Sequence, residues 1–177
     1  VGMKRRETEG GDRDKIYGEV IASAVNYDGR TNGITAPSGK AQAQLMEETY
    51  RRFGVDPKEV DYLVSHGTGT RVGDPIELKA VTEAYQKMGV PNGNCALTST
   101  KANIGHALAA SGVVSLISLT LALKHETIPG EIHCEEPSDY IRWEESPFVL
   151  RRENQPWKDG AKRRVGAVNA FGMSGTN

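Results

Sequence analysis

The residues best suited to chemistry gather in three short stretches. The first is Ser65-His66-Gly67-Thr68-Gly69-Thr70, followed by Gly73-Asp74-Pro75-Ile76-Glu77. The second is Lys101-Ala102-Asn103-Ile104-Gly105-His106, and the third runs from Asn169 through Phe171-Gly172-Met173-Ser174-Gly175 to Asn177. His66 and His106 could each move a proton near neutral pH or offer an N–H to developing negative charge. Each could equally be a hydrogen-bonded structural residue. The Gly67–Thr70 run could approach a phosphate, but it has neither the lysine nor the spacing of a P-loop. The two histidines stand in separate motifs with no third ligand pattern, so no zinc site is expected. On its own, the last stretch also reads as an ordinary mobile glycine turn.

These stretches need a scaffold, and the composition supplies one. With 177 residues the chain suffices for one ordinary domain or a large piece of one. Apolar residues make up 37%, enough for a real core, and 20 glycines imply many sharp turns. The net charge of −1, from 22 basic and 23 acidic side chains, suggests neither nucleic acid nor an anionic membrane as partner. Cys95 and Cys134 have no metal-like spacing, and a reduced, cytoplasmic setting is the expectation. The opening Val1-Gly2-Met3-Lys4-Arg5-Arg6 is basic but runs straight into acidic residues, unlike a signal peptide. Val113–Leu123 is apolar, too short to cross a bilayer and interrupted by Ser115, Ser118 and Thr120; a buried helix is expected there.

Residues 1–16 read as a loop or broken edge, and the rest as one unit without repeats or low-complexity linkers. Tyr17–Val25 suits a strand, closed by the turn signal Asn26-Tyr27-Asp28-Gly29. Ser38 is a suitable N-cap for a helix that runs to about Phe53 and ends at Gly54. Val60–Val64 suits a buried strand. Asp74-Pro75 opens a helix whose missing proline N–H is harmless and which stops at Gly89. Cys95–Thr100 reads as a strand, Gly105 to about Lys124 as a helix, and Phe148–Arg151 and Arg164–Ala170 as final strands. Alternating strands and helices predict a largely parallel sheet covered by helices. All three loaded stretches then follow strands, where ligands gather in open α/β sheets.

In this order, HGTGTRVGDPIE, KANIGHALAASG and FGMSGTN resemble the signature set of β-ketoacyl synthases, especially polyketide ketosynthases. Ser23–Gln42 is similar to the family segment that precedes the first histidine, so the resemblance runs from about Tyr17 to Asn177. Lys124–Phe148 looks closer to ketosynthases of lines whose acyltransferase acts in trans. The resemblance implies an α/β, thiolase-like fold, in which two βαβαβ halves stack into a layered αβαβα core. Residues 17–177 would be the C-terminal half, a mixed sheet covered by helices. The family's nucleophilic cysteine belongs to the other half, in a motif of Asp, Ala, Cys and Ser that is not found here. Neither Cys95 nor Cys134 matches it, and both are expected to be structural. The N-terminal half is expected to precede Val1, in the same chain or a separate one.

The same resemblance implies roles. His66 and His106 would stabilise the enolate left when a malonyl-type thioester loses carbon dioxide. If His106 sits at the start of a long helix, as the pattern suggests, the helix dipole favours its neutral form. Lys101 and Glu77 would pair and hold the site's polar network. Thr68 and Thr70 would meet the phosphopantetheine arm of an acyl carrier protein. Phe171, Gly172 and Met173 would form the loop beside the nucleophile, with the Met173 amide as an oxyanion donor. Ala102 stands where many relatives have Ser, and Asn169-Ala170 where a Ser-Ser is common. No metal or nucleotide is implied.

The complete domain is therefore expected to catalyse decarboxylative Claisen condensation as a homodimer served by acyl carrier protein, and this segment alone is expected to be inactive. Two other readings remain. The chain could be a catalytically silent thiolase-like half that serves as an assembly or docking module, or the domain could transfer acyl groups without condensing. The retained His106 argues against simple transfer.

Overall fold

The computed structural model describes residues 2–3, 16–33, 36–157 and 163–177. The lead-in expected over residues 1–16 lies almost entirely outside the described residues.

Four strands form one parallel sheet: β1 (Val60–Val64), β2 (Cys95–Thr98), β4 (Phe148–Leu150) and β6 (Val165–Val168), in the spatial order β4-β2-β1-β6. A separate antiparallel ribbon joins β3 (Thr127–Ile128) to β5 (Gln155–Pro156). β1 and β2 are buried along nearly their whole length, as befits parallel strands covered on both faces.

One face is covered by α1 (Gly39–Phe53) and α2 (Gly73–Lys87). The Ser38 hydroxyl accepts the Ala41 amide at 3.2 Å and starts α1, while Gly54, at φ +65°, ends it in a conformation other residues avoid. Leu78, Val81, Ala84 and Tyr85 of α2 pack with Leu63, Leu97 and Phe148 from the strands. Each fully buried side chain of this size contributes about 1.5–3 kcal/mol through removal of apolar surface from water. The Tyr50 and Tyr85 hydroxyls meet at 2.6 Å and tie the two helices together.

The other face carries α4 (Ser111–His125), which places Leu119 and Ala122 against Tyr62, Val64, Ala96 and Trp157. Trp157 meets the Tyr62 ring edge-on at 5.7 Å. The apolar segment expected to be a buried helix is buried on one side only. Val113, Ile117 and Leu121 remain 52%, 39% and 47% exposed, one turn apart along the outward side. By length and composition alone, the 18 residues Leu108–His125 would suffice to cross a membrane.

Two expectations change. Tyr17–Val25 forms no strand, and Val20 and Val25 are exposed. Among the described residues no strand lies beside it to pair with. Pairing starts only at Asn26, which exchanges backbone bonds with Asn177, and at Asp28, which donates to Gly175. The helix expected from Gly105 is instead a short α3 (Thr100–Ile104), a link, a single turn at Leu108–Ala110, and then α4. Gly105 breaks it at φ +80°, and Leu108, at φ +50°, cannot continue a right-handed helix. The remaining boundaries fall within a few residues of expectation.

Candidate functional site

β2, β1 and β6 are neighbours and run the same way, so the loops after them emerge side by side at one edge of the sheet. Those loops carry Lys101 with His106, His66 with Thr68 and Thr70, and Phe171 with Met173. The stretches singled out in sequence therefore converge.

The histidines lie with ring centroids 5.7 Å apart and planes at 84°. Nδ1 of His66 accepts the Phe171 amide at 3.3 Å, and Nδ1 of His106 accepts the Leu108 amide at 3.0 Å. A neutral imidazole that accepts at Nδ1 carries its proton on Nε2. Both rings thus hold the same tautomer and present an Nε2–H. Burial lowers the His66 pKa to about 4, and the nearby charge of Lys101 and the His106 ring push the same way. At neutral pH His66 is uncharged, with its proton on Nε2. His106 does not stand at the start of the long helix, because α4 begins only at Ser111; the dipole argument fails, and the Leu108 amide sets the tautomer instead.

Two carboxylates from the first turns of α2 shape the first loop. Glu77 is buried and accepts the amides of His66 at 2.8 Å and Gly67 at 2.9 Å, while the Asn169 side-chain amide donates to it at 3.3 Å. Burial raises its pKa, and the two backbone amides hold it back. Asp74 accepts the Gly69 amide with both oxygens at 3.1 Å. The Lys101 ammonium donates to the carbonyl of His66 in a short hydrogen bond. Lys101 and Glu77 therefore meet through the His66 backbone, one holding its carbonyl and the other its amide; among the described residues no direct ion pair joins them.

The threonine hydroxyls of Thr68 and Thr70 lie 3.1 Å apart at the exposed rim. Thr70 accepts the Gly73 amide at 2.9 Å where α2 begins, while Thr68 reaches Asp74 at 3.5 Å. In the last loop, Gly172 donates to the Thr176 carbonyl at 2.6 Å and Gly175 to Gly172 at 2.9 Å. That turn leaves the Met173 amide outside its own bonding, with the side chain 77% exposed. The Phe171 ring stacks obliquely on His66 at 5.5 Å.

Sequence reasoning named Asp74 and Asn169 only as members of their stretches, without a role in the site, and did not single out Ser99. Asp74 was legible as the carboxylate one turn before Glu77. Ser99 gave no signal. Its hydroxyl donates to the Gly67 carbonyl at 2.9 Å and accepts the Lys101 amide at 3.3 Å, joining two loops across the strand ends. Cys95 is in the core and Cys134 is half-buried, and no disulfide joins them. Among the described residues no group of three His, Cys, Asp or Glu side chains is placed to hold a metal ion. A groove of about 690 Å³ lies along α1 and α2, lined by Lys40, Glu47 and Lys87, and belongs to helix packing rather than to the histidine site.

The family model for the β-ketoacyl synthase C-terminal domain matches residues 17–135. The chain is 50% identical over 177 residues to the polyketide synthase ThaG of Burkholderia thailandensis, covering 100% of this chain and 3% of that protein. It superposes with a TM-score of 0.90 and 41% identity on the ketosynthase from module 6 of the bacillaene synthase of Bacillus subtilis, covering 94% of this chain and 29% of that one. An oxazolomycin ketosynthase domain from Streptomyces albus matches with a TM-score of 0.86 at 32% identity, over 94% of this chain and 29% of its own. The chain thus spans less than a third of each ketosynthase and a few per cent of the synthase. With its three strand-end loops and paired histidines, this chain belongs to the β-ketoacyl synthase family and carries the C-terminal domain of its thiolase-like fold.

Proposed function

We propose that the chain supplies the decarboxylating side of a polyketide condensing site. One observation carries this reading: two histidines, each accepting a backbone amide at Nδ1, offer Nε2–H groups from rings 5.7 Å apart. In the reaction, a malonyl-type thioester on the pantetheine of an acyl carrier protein loses carbon dioxide. The bonding pair passes into the enolate, and negative charge develops on the thioester oxygen. A preorganised N–H donor aimed at such an oxygen is worth roughly 3–4 kcal/mol. The enolate carbon then attacks an acyl-cysteine thioester, and the cysteine thiolate leaves. That nucleophile belongs to the N-terminal half of the domain, outside this chain.

Lys101 and Glu77 position His66 through its own backbone. Thr68 and Thr70 stand at the rim where the pantetheine arm would pass, and the Met173 amide is the proposed donor for the acyl-cysteine oxygen. The outward strip Val113–Ile117–Leu121 suits coverage by the N-terminal half. The similarity of Lys124–Phe148 to lines with acyltransferases acting in trans supports a domain of that type; membership of the family supports a homodimer, and the sparse cysteines a cytoplasmic setting. No cofactor beyond carrier-bound phosphopantetheine is invoked.

The test uses the complete ketosynthase domain that contains this segment, supplied with malonyl-loaded carrier protein. Release of carbon dioxide should fall by about a hundredfold or more in His66→Ala and His106→Ala. Unchanged release with ongoing acyl transfer would favour a domain that moves acyl groups without condensing.

A further inference from the structure

We infer that Glu131 is a positioning residue for the two-histidine site: its buried carboxylate fixes the backbone of Ser99, whose hydroxyl joins the loop bearing His66 to the segment bearing Lys101. The inference rests on the condensing function proposed above.

Glu131 belongs to none of the three motifs. It sits in the turn after β3, only 7% exposed, and its carboxylate accepts the Ser99 amide in a short hydrogen bond. The Cys134 thiol lies near the same carboxylate, which pushes the thiol pKa up further after burial has raised it. Taking an ionisable carboxylate out of water is costly, and an apolar side chain would fill the space without that cost. A carboxylate there needs a task.

The turn is held by bonds that do not involve the carboxylate. The Glu131 amide donates to the Arg151 carbonyl at 3.0 Å, and the Gly130 amide to the Asn154 side chain at 3.0 Å. Asn103, within KANIGH, donates to the Gly130 carbonyl at 3.1 Å and accepts the Ile132 amide at 2.9 Å. Gly130 itself is pressed onto the chain beyond β4; a Cβ there would lie 2.6 Å from the Arg152 backbone. A rigid turn thus delivers the carboxylate to one amide.

That amide belongs to the residue that joins the loops. From Ser99, one hydrogen bond runs to the Gly67 carbonyl and another comes from the Lys101 amide. Lys101 in turn holds the His66 carbonyl. Burial raises the Glu131 pKa and the Ser99 amide counters that rise, so the bond steadies the carboxylate as well as the loop. Loss of this anchor lets Ser99 shift, and a small misplacement of donors is felt in the rate rather than in substrate binding.

The test compares variants of the complete ketosynthase domain, with rates normalised to folded protein. In Glu131→Ala the decarboxylation rate should fall about tenfold, with KM for the malonyl thioester within about twofold. Glu131→Gln, whose amide oxygen still accepts the Ser99 N–H, should recover to within about threefold of the parent. A Glu131→Ala rate within twofold of the parent overturns the inference, as does a folded Glu131→Gln that is as impaired as Glu131→Ala. Should Glu131→Ala not fold, Glu131→Asp decides: it keeps the charge but withdraws the acceptor by one methylene, and a parental rate there sinks the idea. His66→Ala runs alongside. If that variant retains the parental rate, the proposed function has failed; if it is inactive while the Glu131 variants are normal, only the positioning role has.

Discussion

The Phe171 amide donates to Nδ1 of His66, so a residue of the glycine-rich terminal loop fixes the tautomer of a histidine 105 positions earlier. The ring of Phe171 also leans on His66 at 5.5 Å, which adds to its burial. The third motif therefore acts on the first through one N–H and one aromatic face.

The electrostatics of His66 can be tested directly. Its pKa is lowered to about 4 chiefly by burial, and next by the Lys101 charge. Lys101→Met should raise it toward the ordinary value of about 6.5, because a repelling cation is gone while burial persists. The imidazole Cε1–H shift followed against pH by NMR reads this; a midpoint that stays put would exclude the lysine as a contributor. The linkage sign follows from the lowered pKa. Above about 6.5 the neutral ring costs folding nothing, and His66-linked stability is lost as pH falls from there toward about 4, since the unfolded chain takes up the proton first.

Glu77 is the second test. It accepts two backbone amides and sits 5% exposed. Glu77→Ala strands both donors, at about 1–3 kcal/mol each where water cannot reach them. A drop in Tm of several degrees is expected, with a smaller drop for Glu77→Gln, which keeps one acceptor oxygen but turns an NH₂ toward the other amide. Equal melting of Glu77→Gln and the parent would mean that the second bond carries no weight.

The limits of sequence reading are visible in these residues. Ser38, Gly54 and Pro75 are local signals, and the helices they mark appear where expected. The motif stretches converge because parallel strands send their ends to one edge, a rule that needs no coordinates. Tyr17–Val25 was misread because strand propensity says nothing about whether a neighbour is present. The long helix was misread because its apolar pattern runs through Gly105 to Ala110, while the break depends on φ angles at Gly105 and Leu108. Ser99 was invisible for another reason: its importance lies wholly in what it bridges.

A glycine pair separates steric demand from backbone conformation. Gly67 and Gly69 both have positive φ, at +41° and +74°. A Cβ on Gly67 would lie 2.7 Å from the Ser99 Cβ, whereas one on Gly69 meets open space. Gly69→Ala should cost only the left-handed conformation, about 1–2 kcal/mol. Gly67→Ala should cost clearly more, since Ser99 must also move. Chemical denaturation of the two variants gives the comparison, and equal costs would show that Ser99 yields freely.

The outward strip of α4 yields the last prediction. Val113, Ile117 and Leu121 recur every four residues, so they line one side of the helix, and all three are exposed. Their inward neighbours Ser115, Leu119 and Ala122 are buried on the sheet, so rotating the helix cannot hide the strip. An exposed apolar row of this kind lowers its free energy by meeting another surface. The 177-residue chain on its own should therefore self-associate in a concentration-dependent way. Ile117→Gln with Leu121→Gln should shift it toward monomer in sedimentation velocity without changing its circular dichroism. The same pair placed in the complete domain should weaken attachment of the N-terminal half and lower its Tm. If the double variant self-associates like the parent while the complete domain is undisturbed, the strip is ordinary surface, and some other face must meet the rest of the enzyme.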